Sequence, residues 1–278
     1  MKVACITLDT EPDLGSDRCD IELFRNPDQL GPFQEVIREH GVKLTGFLVT
    51  KIIRENPKAI ERATAALPIR FESHSHHHNQ RDTDSERELD DTMEAYAGFF
   101  GRPPRGYRAP NGLITPRGLV RLAARGFVYD SSIFPSCRFD AYAYNNLGLP
   151  VVPYAYSTAA GELIELPLAV VKGVRLIVSL SYMKLLGWRF YEVLIRRLGL
   201  PDILVIDTHP YDFFVGGHLH RVSGWKRWAH ARNAENALGI FDRLLQVLKL
   251  SGYTFLYVDE LLPLLGKKGM KRIDLSGA

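Results

Sequence analysis

The chain has 278 residues, long for one simple domain but within reach of a single α/β barrel, which runs to about 250 residues. With 46% hydrophobic and 24% charged residues, the composition predicts a sizeable core and excludes extended disorder. A formal charge of +3 is too small for a concentrated basic face, which argues against nucleic acid as a partner, and three scattered cysteines without CxxC spacing exclude a disulfide framework.

The opening MKVACITLDTEPD turns acidic before any small-residue cleavage site, so a secretory leader is not expected and the protein reads as cytoplasmic. Residues 2–9 form an apolar run that predicts a buried strand delivering Asp9 to its carboxyl end, with Cys5 as a small apolar member of the core. Glu11 and Asp13 follow in a turn where Pro12 blocks further pairing. Residues 27–40 have helical spacing in Leu30, Phe33, Val36 and Ile37, with Gly41 as the stop. A strand over 42–49, a helix over 51–66 and a strand over 69–72 continue the alternation. That order implies a parallel sheet with right-handed crossovers.

The third strand runs into a turn where four of nine histidines fall within five positions: His74, His76, His77 and His78. A histidine run on a loop is equally a solvated turn. A helical turn starting after the strand would set His74 and His78, four apart, on one side, as two imidazole ligands need. A helix over 84–100 follows, then a strand end at 106–112 carrying Arg108, and a helix opened by Thr115 and Pro116. Residues 127–132 read as a strand ending near Asp130. Between 138 and 200 the alternation weakens: 150–156 and 163–171 suggest a hairpin, and 174–198 one long helix. Residues 203–207, ILVID, are the clearest buried strand and lead at once to His209. A helix over 228–250, a strand over 253–258 and a short basic tail complete a single domain, residues 1–278, with an inserted hairpin and helix at about 138–200.

Ligands in parallel α/β folds bind at the carboxyl ends of the strands. There this chain places Asp9, Glu11, His74, His78, Arg108, Asp130 and His209: imidazoles and a carboxylate for a metal, a spare carboxylate, a guanidinium and a distant histidine. It is a hydrolytic constellation.

Five segments in order carry a family resemblance: Thr7-Leu8-Asp9-Thr10-Glu11; His74-Ser75-His76-His77-His78; Arg108-Ala109-Pro110; Asp130-Ser131-Ser132 followed by Ile133, Phe134 and Pro135; and the apolar run ending at His209. The chain resembles the polysaccharide deacetylases, carbohydrate esterases with a NodB homology domain. The resemblance implies a distorted (β/α) barrel of about seven parallel strands. It also implies that Glu11, His74 and His78 bind a divalent metal, zinc before cobalt or nickel, which in such a set lowers the pKa of water to about 7. Asp9 is then the general base, held by Arg108. His209 is the general acid, oriented by Asp130 on the family pattern, with Asp207 the rival on its own strand. The backbone N–H of Asn111 and the metal would stabilise the oxyanion, at about 3 kcal/mol per donor. The chain departs from the pattern in having Glu11 where aspartate is usual, with Asp13 a rival ligand, and Asn111 where an aromatic is usual. His76 and His77 stay outside the site.

The activity implied is removal of an N-acetyl group from an N-acetylhexosamine unit. A cytoplasmic enzyme would act on a lipid-linked or nucleotide-linked precursor of a surface polysaccharide. Residues 174–198, which mix large apolar side chains such as Leu176, Ile177, Leu180, Met183, Trp188 and Phe190 with five arginines and lysines, suit core packing or peripheral contact with the inner face of a membrane. The alternatives are another amide hydrolase on the same scaffold, a deformylase or amidohydrolase, and a catalytically silent glycan-binding protein.

Overall fold

The computed structural model describes residues 1–16, 18–139, 143–214, 216–266 and 269–278; residues 140–142 of the expected insert and 267–268 of the basic tail lie outside them. The strands in chain order are β1 (Val3–Thr10), β2 (Leu44–Leu48), β3 (Ile69–Ser73), β4 (Gly106–Tyr107), β5 (Tyr129–Asp130), β6 (Cys137–Arg138), β7 (Tyr144–Asn145), β8 (Tyr154–Thr158), β9 (Gly161–Glu165), β10 (Ile203–Thr208), β11 (Thr254–Phe255) and β12 (Arg272–Asp274). Seven run parallel in the order β10-β1-β2-β3-β4-β5-β9, as expected, and β8 and β12 extend the β9 side. β11 adds in parallel beside β1, while β6 and β7 form a separate antiparallel pair.

Every residue of β1 is buried, as a strand needs when both faces of a parallel sheet are covered. Alternation assigns the faces: Ala4, Ile6 and Leu8 pack with Phe33, Ile37 and Phe241 of the outer helices, whereas Val3 and Cys5 meet Phe47, Tyr129 and Val205 in the interior. Burial pushes the Cys5 thiol up, so it is inert. Among the described residues the strand ladder does not close. The run after β9 instead leans across the open side, with Leu168 N–H donating to the carbonyl of Ile133 (2.9 Å) and Ala169 N–H to that of Val205 (2.8 Å). A distorted barrel results.

The helix Pro27–His40 has the bounds its sequence predicts, because Asn26 caps it by accepting from Asp28 N–H and Gly41, at φ 65°, ends it in the left-handed region. Three predicted helices are divided. Residues 51–66 form Lys51–Glu55 and Pro57–Ala66, since Pro57 has no N–H to continue a turn and its ring keeps Asn56 out of the helical region, at φ −147° and ψ 58°. Residues 174–198 are not one helix. Ile177 bridges Val170 in extended form, Ser179 caps Leu180–Leu186, and Gly187 at φ 92° separates that helix from Trp188–Leu198. Residues 228–250 break at Asn233, φ 54°, leaving Gly224–Ala231 apart from Ala237–Leu250.

Strand register brings the site together. Ser73 lies opposite Tyr107 and Tyr107 opposite Asp130, so His74 and Arg108 leave adjacent strand ends side by side. Leu8 lies opposite Thr208, which sets Asp9 beside His209.

Candidate metal and acid-base site

Asp9 and Glu11 are two apart at the end of β1 and face the barrel mouth together, both almost fully buried. His74 directs its Nε2 to 3.9 Å from Glu11 Oε2 and 3.8 Å from Asp9 Oδ2, while its Nδ1 sits 2.8 Å from the carbonyl oxygen of Arg108. A carbonyl only accepts, so Nδ1 carries the proton and the Nε2 lone pair faces the carboxylates. This is how a histidine is prepared for a metal.

His78 Nε2 contacts Glu11 Oε2 directly, and the rings of His74 and His78 lie 5.1 Å apart. The expected helical turn is absent. Ser75 and His78 both have left-handed backbone, φ 61° and 57°, which folds the chain back and brings the two outer rings together by a tighter route. The middle histidines fasten that turn. Glu88, on the helix Glu86–Phe100, accepts the backbone N–H groups of His76 (2.8 Å) and His77 (2.7 Å) and meets His77 Nδ1 at 2.8 Å; Thr50 meets His76 Nδ1 at 2.9 Å.

One donor atom each from Glu11, His74 and His78 lies within 4.8 Å of the others, so one carboxylate and two imidazoles fit a divalent cation of zinc type. Burial would raise the Glu11 carboxyl, yet His78, His209 and His74 hold it well below the usual range. Burial drives His74 down to about 4, against Asp9, which leaves it neutral as a ligand should be. Asp13 is elsewhere: it accepts from Glu22 N–H at 2.6 Å and starts the helix Glu22–Arg25, and burial pushes it up to about 7.

Arg108 is fully buried and fully engaged. Its Nη1 bonds Asp9 Oδ1 at 2.5 Å and Thr7 Oγ1 at 2.8 Å, its Nε and Nη2 reach Ser131, and its guanidinium lies 4.0 Å over the Phe47 ring. Removing one partner of such a pair costs about 3–5 kcal/mol, because the other charge is left buried and alone. Asp9, Asp207 and His209 form a second group within 4.8 Å. There the guanidinium, 3.5 Å from Asp207 Oδ1, already supplies the positive charge a second cation would bring. Burial, with Asp9 close by, pushes Asp207 up to about 8.

His209 does not meet Asp130. That carboxylate is fully buried and takes the hydroxyl (2.7 Å) and N–H (3.1 Å) of Ser132, with Glu165 beside it. Asp207 lies 3.9 Å from His209 Nε2, too far to orient the ring. The orienting carboxylate is Asp212, 2.9 Å from His209 Nδ1, and Ser181 donates to both its oxygens while Lys184 Nζ bonds its carbonyl at 2.8 Å. Burial would lower His209, but Asp207, Asp212 and Glu11 raise it well above the usual histidine value. Tyr211 donates to Glu11 Oε1, and its ring stacks 4.9 Å from that of His209. Asp212 and Tyr211 had a local signal in His209-Pro210-Tyr211-Asp212, since a carboxylate three residues after a turn start caps it. Ser181 and Lys184 had none.

Asp9, Glu11, His74, His78, Arg108 and His209 line one pocket of about 550 Å³, whose lining also includes Asn111, Phe134, Tyr144 and Tyr182 and, at its exposed mouth, Trp225 and Lys226.

The fold is shared with solved structures of low identity. The Bacillus anthracis protein BA3943, a family 4 carbohydrate esterase pseudoenzyme, is 15% identical with a TM-score of 0.53, covering 98% of this chain and 67% of that one. The 4-alpha-glucanotransferase of Thermococcus litoralis is 13% identical with a TM-score of 0.59, covering 98% and 39%. No curated protein sequence matches the chain. The polysaccharide deacetylase family model matches residues 2–129, the span that carries Asp9, Glu11, His74, His78 and Arg108. Over that span, a little under half of the chain, the protein is similar to the polysaccharide deacetylase family.

Proposed function

We propose that the protein is a metal-dependent hydrolase that removes an N-acetyl group from an N-acetylhexosamine unit of a glycan or glycan precursor. The observation that carries this reading is the convergence, in one pocket, of a three-ligand set, a carboxylate held by arginine and a histidine held by aspartate. Glu11, His74 and His78 would hold the metal, which supplies Lewis acidity toward a water and an amide carbonyl.

Asp9 takes the proton of the attacking water. Its Oδ1 is tied to Arg108, and its Oδ2, 3.8 Å from His74 Nε2, faces the ligand set. His209 holds a proton on Nε2 and gives it to the departing amine; Asp212 fixes the ring so that Nε2, not Nδ1, points into the pocket. An amide leaves as an amine only when protonated, so a histidine held in its charged form suits the step. Asn111 lines the wall where its N–H can meet the oxyanion. The pocket falls in the range of about 300–1,000 Å³ typical of small-ligand sites, which suits a sugar unit of a lipid-linked or nucleotide-linked precursor in surface polysaccharide assembly.

The test is release of free acetate from N-acetylhexosamine oligosaccharides with zinc or cobalt added, comparing wild type with Asp9→Asn and His209→Ala. Each variant should lose about 10²–10⁴-fold in kcat. Equal acetate from all three proteins overturns the mechanism.

A further inference from the structure

We propose that residues 218–232 form a docking surface for an anionic phospholipid membrane, set beside the pocket mouth; this rests on the precursor reading above. The helix Gly224–Ala231 has no buried residue, and Trp225 and Trp228 are 64% and 58% exposed. A soluble helix ordinarily buries one face. Here the inward face serves the pocket: Ala229 and His230 line it, and the His230 ring lies 5.7 Å from that of Tyr211. The outward face carries Arg227 and Trp228. Arg232 anchors the helix by donating to the carbonyl of Leu185 at 2.7 Å and places its guanidinium 5.3 Å over the Trp228 ring.

Charge complementarity selects the occupant. Residues 218–232, HLHRVSGWKRWAHAR, contain four arginines and lysines, three histidines and no acid. Tryptophan is the residue of membrane–water interfaces, and clustered basic residues bind anionic headgroups. The helix Leu180–Leu186 packs against Gly224–Ala231, and it and the next helix, Trp188–Leu198, expose Leu186, Phe190 and Val193, each 43–49% exposed, with Arg189 and Arg197. Among the described residues no helix is long and apolar enough to cross a membrane, so contact of this kind is peripheral. A surface of this chemistry, with Trp225 and Lys226 at once on the helix and at the pocket mouth, presents the site to a sugar that stands on a lipid.

The experiment is co-sedimentation of the full chain with vesicles of phosphatidylcholine alone or mixed with phosphatidylglycerol, for wild type, Arg227→Glu and Trp228→Ala. Neither substituted residue lines the pocket. Wild type should bind the mixed vesicles and not the neutral ones. Arg227→Glu changes the charge by two and should bind about thirtyfold more weakly, from about 1 kcal/mol per basic charge. Trp228→Ala should also weaken binding. Both variants should keep wild-type turnover of a water-soluble oligosaccharide. Wild type that stays in the supernatant with mixed vesicles overturns the proposal, as do variants that bind as well as wild type. So does a Trp228→Ala variant that converts a dimer to a monomer by light scattering while lipid binding is unchanged. Loss of turnover in all three proteins with the lipid pattern intact counts against the deacetylase reading and supports docking as a separate property.

Discussion

The Nδ1 atom of His209 lies 2.9 Å from Asp212 Oδ2, and the same oxygen takes the His209 backbone N–H at 3.1 Å. Ring and backbone are thus held by one carboxylate three residues on, where the family pattern points to an aspartate on a different strand. Replacing Asp212 with asparagine should keep the shape and lose the tautomer, reducing kcat by about 10² or more with little change in KM. Asp130→Asn should instead leave turnover per folded molecule within a few-fold of wild type. Steady-state kinetics with thermal unfolding of both variants separates the two.

Lys184 is buried beneath Asp212, 3.6 Å from its Oδ1. Burial would raise the Asp212 carboxyl, but His209, Lys184 and Ser181 hold it below the usual range, so the carboxylate is charged where it faces the imidazole. Lys184→Met should lower kcat about tenfold or more, on the scale of a lost charge-assisted contact of about 1.5–3 kcal/mol. In a His209→Ala background the same change should cost nothing further in kcat. An undiminished effect in that background would mean that Lys184 does not act through the histidine.

Metal content tests the ligand set. Glu11→Ala should lose the metal and Asp13→Ala should keep it, because Asp13 is occupied with Glu22 N–H. Retained metal in the first and loss in the second, by elemental analysis of purified protein, would reverse the assignment.

Glu88 offers a test at a distance. It takes three contacts from His76 and His77 and so holds the left-handed turn that sets His78. Glu88→Ala should weaken metal affinity about 10–100-fold, the usual cost of removing a supporting contact. His77→Ala leaves both backbone N–H bonds in place and should cost less. Chelator competition measures both.

Asp130 and Glu165 are fully buried side by side, and burial raises both, Glu165 well above the usual carboxylate value. The folded protein keeps a proton there that the unfolded chain gives up near pH 4. Their contribution is therefore full below that pH and declines as pH rises, by about 1.4 kcal/mol per pH unit for each proton difference. Glu165→Gln, which needs no proton, should flatten the fall of stability between about pH 4 and neutrality. Urea unfolding across that range would contradict this if the wild-type and variant curves run parallel.

Much of the site could be read from the residues alone. A buried apolar run has both faces covered, so its last polar residues must sit at the rim. That logic puts Asp9, Glu11, His74, Arg108 and His209 at one rim, and in the structure all five line one pocket; the alternation of elements implies the parallel sheet, and the count of about seven strands comes from the family resemblance. The helix Pro27–His40 was legible to the residue because its cap and stop are local chemistry.

Partner choice was not local. Whether Asp130, Asp207 or Asp212 holds His209 depends on strand register and on which loop turns inward, and three aspartates look alike in sequence. Lys184 and Ser181 are far from His209 along the chain, so only the packing of the helix Leu180–Leu186 against β10 brings them to Asp212. Hydrophobic spacing over 174–198 reads as one helix because it does not register the backbone freedom of Gly187 or the cap at Ser179. At the histidine turn the sequence determined which rings were available. The left-handed backbone at Ser75 and His78, with Glu88 beneath, decided which two face Glu11, because only a folded-back turn brings the outer rings to one carboxylate.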